Sequence, residues 1–121
     1  MGRKRMPGEV ARVVGDRADG RCEAMVFPVC TGGAEQLHHR QYRSRGGEHT
    51  VPNLVFICRA CHDWIHAHPK ESSDIGLSVH SWQEPGDVPV AYRGRPAVLD
   101  DAGGVTCSYF CLLYTSPSPR D

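Results

Sequence analysis

Leu37-His38-His39-Arg40, then Asn53, then Cys58-Arg59-Ala60-Cys61-His62-Asp63-Trp64-Ile65-His66 is the stretch whose reading decides the fold. Arg59 to His68 reads as a helix that Pro69 closes. His62 and His66 stand four residues apart on it, which puts both imidazoles on one face, about a turn apart, where they can chelate one ion. A third ligand has to come from another element. Leu37 to about Gln41 reads as a short strand and Leu54-Val55-Phe56-Ile57 as a buried one. Tyr42 to Asn53, with Gly46, Gly47 and Pro52 and no apolar period, reads as the loop between them. The order strand, long loop, strand, helix carries His38 back beside the helical pair.

Three neutral imidazoles leave coordination positions open for a phosphate oxygen and water, the mark of a catalytic rather than a structural site. Successive strand residues point to opposite sides. If His38 faces the ion, His39 faces the space across from it, and an imidazole titrating near neutrality can take a proton from water there. Asn53, at the mouth of the loop, can bond loop backbone through its amide, hold the two strands in register and so orient His39 indirectly. His49, His68 and His80 have no such partners in the sequence and are expected at the surface.

Cys58-x2-Cys61 is a good half-site for zinc, and Cys22 and Cys30 are candidates for the other half. Their gap is longer than the usual knuckle spacing, so free or buried thiols are the alternative reading. Four thiolates would close a tetrahedral structural site joining the N-terminal segment to the start of the helix.

His38-His39, Asn53 and His62 resemble the HNH endonuclease motif, which belongs to the ββα-metal nuclease fold. His66 adds a ligand similar to the metal site of the bacterial colicin DNases. The frame HHR…GG…NL…C-x2-CH-x3-H looks most like small phage and prophage HNH proteins. The likeness covers about residues 20–100, with its core at 37–66. It implies a general base at His39, metal ligands at His38, His62 and His66, a loop-fixing role for Asn53, and hydrolysis of DNA to 5′-phosphate and 3′-hydroxyl ends. Many relatives have Asp-His where this chain has His38-His39. A carboxylate favours magnesium and an imidazole favours softer ions, so magnesium, manganese, nickel and zinc all stand as candidates for the catalytic ion. One structural zinc is expected besides it.

The chain has 121 residues and no formal net charge, yet charge is unevenly placed. Residues 1–70 hold 11 Lys and Arg against 7 Asp and Glu, and residues 71–121 hold 3 against 7. The basic half is also the histidine-rich half, which suits a polyanion such as DNA. Arg40, Arg43 and Arg45 follow the histidine pair and are candidates for phosphate contacts, as are Arg3, Lys4 and Arg5. Gly46-Gly47 would let backbone approach the nucleic acid closely. No apolar run is long enough to span a membrane, and no apolar segment follows the basic N-terminus as in a secretory signal. The expected location is the cytoplasm of a bacterial or phage-infected cell, with cysteines that bind metal rather than pair. Oligomeric state is left open.

The class expected is α+β: a small ββα-metal core, a zinc-stapled N-terminal segment and a β-rich C-terminal extension. Residues 1–19 form a basic arm and short helix, the helix running from Glu9 to about Ala18 on Val10, Val13 and Val14 and stopped by Asp19-Gly20. Residues 20–70 form the core. In 71–110, Leu77 to Trp82 alternates like a strand, with Trp82 taken as core. Val88–Tyr92 and Ala97–Leu99 read as a hairpin, and Asp101–Gly104 as a turn. Residues 111–121, CLLYTSPSPRD, resemble an in-frame translation of a transposon-end sequencing adapter and are set aside. The rival to an enzyme is a catalytically inactive, zinc-stabilised nucleic-acid-binding module.

Overall fold

The computed structural model describes residues 7–107. Arg3, Lys4, Arg5 and the adapter-like segment 111–121 lie outside the described residues. The elements are α1 (Gly8–Ala18), β1 (Gln36–His39), β2 (Leu54–Ile57), α2 (Arg59–Ala67), α3 (Pro69–Asp74), β3 (Val90–Tyr92), β4 (Arg95–Leu99) and β5 (Val105–Cys107). The class is α+β.

β1 and β2 form an antiparallel ribbon in which His38 faces Val55 and His39 faces Leu54 across the pair. The ribbon is covered on both sides, which is why Leu54–Ile57 is apolar throughout rather than alternating. On one side Leu37, Leu54 and Phe56 meet Val10, Val13 and Val14 of α1. On the other, Val55 and Ile57 meet Cys61 and Ile65 of α2. The same core takes in Leu77, Val90, Tyr92, Ala97 and Leu99, so β3 and β4 share one core with α2 and the cysteine segment.

α1 stops at Asp19, whose left-handed backbone (φ 53) places its N–H on Gly15 O. Close by, Arg17 and Glu23 form a buried ion pair at 2.6 Å. Glu23 also accepts from Phe56 N–H (2.8 Å) and Tyr92 Oη (2.7 Å). Arg17 donates onward to the carbonyls of Val51 and Leu54. The pair therefore ties α1, β2 and β3 together with its charges fully hydrogen-bonded.

α2 ends before Pro69, as the sequence predicts, but Pro69 then opens α3, since proline suits a helix start. The segment Leu77–Trp82 is not a strand. Its Val79 N–H bonds Arg40 O, and Leu77 and Val79 are buried while Trp82 stands out in solvent. Ser78, between Leu77 and Val79, is buried as well, so the segment is a bend laid on the core and not a half-exposed strand. The β3–β4 hairpin turns through Arg93 (φ 50) and Gly94 (φ 87), both left-handed as a tight hairpin requires. β5 pairs with β4 beyond the turn at Asp101–Gly104.

Candidate metal centres

His38, His62 and His66 each bring a ring nitrogen within 4.8 Å of the others. β1 presents His38 inward, 2 % exposed, and α2 presents the other two from one face. His62 Nε2 and His66 Nε2 are 3.3 Å apart. Two imidazole nitrogens bound tetrahedrally at about 2.0–2.1 Å would lie roughly 3.4 Å apart, so this spacing fits one shared ion. His38 Nε2 donates to Leu77 O at 2.8 Å, because a carbonyl only accepts. That fixes the tautomer and leaves Nδ1 with its lone pair, the usual way a second partner orients a ligating histidine. Burial, and then the neighbouring His62, His66 and His39, hold His38 down at about 4 against the partial help of Leu77 O. His62 is lowered by burial and by His66. Both rings are thus kept in the neutral form that ligates a metal. Tyr42 lies over His66 (5.6 Å, 25°) and edge-on to His38.

His39 points to the other side of β1 and is half-buried. Its Nε2 is 3.0 Å from His49 Nδ1. Arg43 Nη1 lies close to both His49 ring nitrogens, Nε2 and, at 3.3 Å, Nδ1. One proton is shared between His39 Nε2 and His49 Nδ1, and either ring can carry it. Burial, then His49 and Arg43, lower the pKa of His39. Nothing in the sequence marks the His39–His49 contact, since residues ten apart in an irregular loop carry no spacing rule.

Asn53 is fully buried. Its Oδ1 accepts Gln41 N–H at 2.7 Å, and its Nδ2 donates to Gln41 O (3.2 Å) and Glu48 O (3.0 Å). It closes both ends of the loop that carries His49, the role expected from its position. Gly47 completes the closure: a β-carbon there would overlap Gln41 O. The close approach that Gly47 permits is to the chain's own backbone rather than to nucleic acid.

Arg40 corrects a second expectation. It is fully buried and donates to four carbonyls: Gly76 (2.8 Å), Pro52 (2.8 Å), Pro85 (3.1 Å) and Val88 (2.8 Å). With its donors spent inside the protein it cannot reach a phosphate. The cause is topological, because three segments, around Pro52, Gly76 and Pro85–Val88, converge on the end of β1. Arg43 and Arg45 remain exposed.

Cys22, Cys30, Cys58 and Cys61 also bring their sulfurs within 4.8 Å of one another. Cys58 Sγ and Cys30 Sγ are 3.9 Å apart, against roughly 3.8 Å for two thiolates bound tetrahedrally at 2.3 Å. Backbone N–H groups of Met25, Val26, Thr31, Gly32, Cys58 and Cys61 point at these sulfurs at 3.3–3.4 Å. Such a ring of donors stabilises thiolates. Burial raises Cys58, but donors from Thr31 and Cys61 outweigh it and bring the thiol down to about 6. Burial pushes Cys30 and Cys61 up, with the nearby Cys22 adding to it. Sulfurs this close ionise together only around a cation, and the donor set fits zinc.

Among the described residues no helix is long and apolar enough to cross a membrane. Residues 25–68 match the family model for HNH endonuclease. That span covers three of the four cysteines, both strands of the ribbon and α2. No curated protein and no solved structure matches the chain.

Proposed function

From the HNH domain at residues 25–68, we propose that this chain is a metal-dependent DNA endonuclease that hydrolyses phosphodiester bonds. The observation that supports this most is the pairing, on one strand, of His38 in an open triad with His62 and His66 and of His39 on the opposite side. A binding module needs neither an open imidazole site nor a second histidine beside it.

In this reading His38, His62 and His66 would hold one divalent ion. When bound, such an ion supplies charge stabilisation for the phosphate and for the departing 3′ oxygen. His39 accepts a proton at Nε2 from a water that takes the place of the His49 ring as substrate docks. The water oxygen bonds to phosphorus, the bond to the 3′ oxygen breaks, and that oxygen leaves with a proton from solvent. The products are a 5′-phosphate and a 3′-hydroxyl. Arg43 and Arg45 contact phosphates beside the scissile bond. Asn53 is a positioning residue that acts through the loop. The four cysteines hold a structural zinc with no part in the chemistry.

Supercoiled plasmid incubated with the protein and magnesium, manganese, nickel or zinc tests this. Nicked or linear product with at least one of these ions is expected. Tight DNA binding without any cleavage across all four would establish the rival, a zinc-stabilised binding module.

A further inference from the structure

Trp82 is 76 % exposed, unusual for a tryptophan, yet it is not loose. Its indole lies flat on the His80 imidazole, with centroids 4.4 Å apart and planes 5° from parallel. His80 is fixed in turn: Ser73 Oγ bonds its Nε2 (3.1 Å), and its N–H donates to Gln83 Oε1 (3.0 Å). Gln41 Nε2 donates to both His80 O (2.8 Å) and Gln83 O (2.9 Å). Gln41 is also the residue that Asn53 grips, two positions from His39. The exposed indole is thus braced against the strand that carries the proposed general base.

The two sides of this stack differ in chemistry. A cleft of about 350 Å³ beside Trp82 is lined by Gln41, Glu48, Gln83 and Glu84. Carboxylates repel phosphate, but they accept the ring and exocyclic N–H groups of bases. On the far side of His80 a depression of about 480 Å³ is lined by Tyr42, Arg45, Lys70, Asp74 and His80, with Lys70 held to Asp74 at 3.3 Å. Arg45 lies 4.9 Å over the Tyr42 ring, and Tyr42 stacks on His66 of the triad. Tyr42 therefore joins this depression to the histidine triad, and His80 joins it to the exposed indole.

We propose that Trp82, backed by His80, is the platform for an unpaired base of the nucleic-acid substrate, whose phosphates run past Arg45 and Lys70 to the histidine triad. The proposal rests on the nuclease reading and narrows its substrate to DNA with single-stranded or flipped-out bases rather than unbroken duplex. Aromatic stacking of this kind is a sequence-tolerant contact.

The test uses the full chain with no added divalent ion. A mixed-sequence single-stranded oligonucleotide and a blunt duplex of equal length serve as probes. Single strand is expected to quench the indole emission. Trp82→Ala, a surface change that leaves melting unaltered, is expected to remove most of the quenching and weaken single-strand binding about tenfold, with duplex binding unchanged. Trp82→Phe should restore part of the affinity. Equal losses for both probes, or no loss for either, overturn the platform. So does a Trp82→Ala protein that loses self-association in sedimentation but binds single strand normally, since a second copy would then own the surface. Plasmid cleavage separates the two claims. Cutting with an indifferent Trp82→Ala defeats the platform alone, and Trp82-dependent single-strand binding without cutting defeats the nuclease reading alone.

Discussion

Asn53 holds Gln41 by both of its backbone groups, accepting from the N–H at 2.7 Å and donating to the carbonyl at 3.2 Å. A side-chain amide is the only group that can do both while also donating to Glu48 O. Asn53→Asp keeps the first bond and turns the other two into repulsions between oxygens. It should cost about 2–4 kcal/mol of stability, and cleavage should fall even at temperatures where the variant is folded. Melting followed by circular dichroism, with plasmid cleavage well below the midpoint, checks both parts.

The four-cysteine cluster joins the segment before β1 to the first turn of α2. A structural zinc there would supply apparent energy on the order of 10 kcal/mol, comparable to the whole stability of a small domain. Cys58→Ala should unfold the chain and lower its zinc content by one. A Cys58→Ala protein with the wild-type melting profile would remove the site from this account.

Arg40 and its neighbours in sequence part company. Arg40→Met should lose about 3 kcal/mol or more, because four buried carbonyls lose their donor. Replacing both Arg43 and Arg45 with Ala should leave the melting midpoint nearly unchanged. It should also reduce the salt dependence of DNA binding by roughly two released counterions. Binding titrations between low and moderate salt, beside melting curves, distinguish the two behaviours.

Tyr92 donates to Glu23 inside the Arg17–Glu23–Tyr92 network, and burial, with Glu23 adding to it, raises the phenol from its ordinary value of 10 to about 12. The folded protein keeps a proton there that the unfolded chain releases. The contribution is complete below about pH 10 and is lost as pH rises towards 12. Tyr92→Phe should be less stable at neutral pH and lose less stability between those values. Denaturant midpoints across the alkaline range measure this, and parallel slopes for the two proteins would contradict it.

The ribbon, α1, α2 and both ligand clusters were legible because each rests on local chemistry. Period 3.6 marks the helices, an unbroken apolar run marks a doubly covered strand, and His-x3-His and Cys-x2-Cys follow from helix geometry. What escaped was set by long-range packing. Arg40 looks like any basic loop residue until four carbonyls from distant segments surround it. Leu77 and Val79 alternate with polar residues like a strand, yet Ser78 between them is buried too, in a bend laid on the core. Trp82 looked like core because tryptophan usually is. His49 and Tyr42 touch the site from an irregular loop whose path is settled by Asn53 and Gly47.

In the proposed mechanism His39 activates water opposite an ion held by three imidazoles. Single-turnover cleavage of plasmid by His39→Ala, paired with calorimetric titration of the same protein with the activating metal, tests it most directly. The account predicts metal binding close to wild type with cleavage lost by at least about a hundredfold. Cutting at the wild-type rate would contradict it.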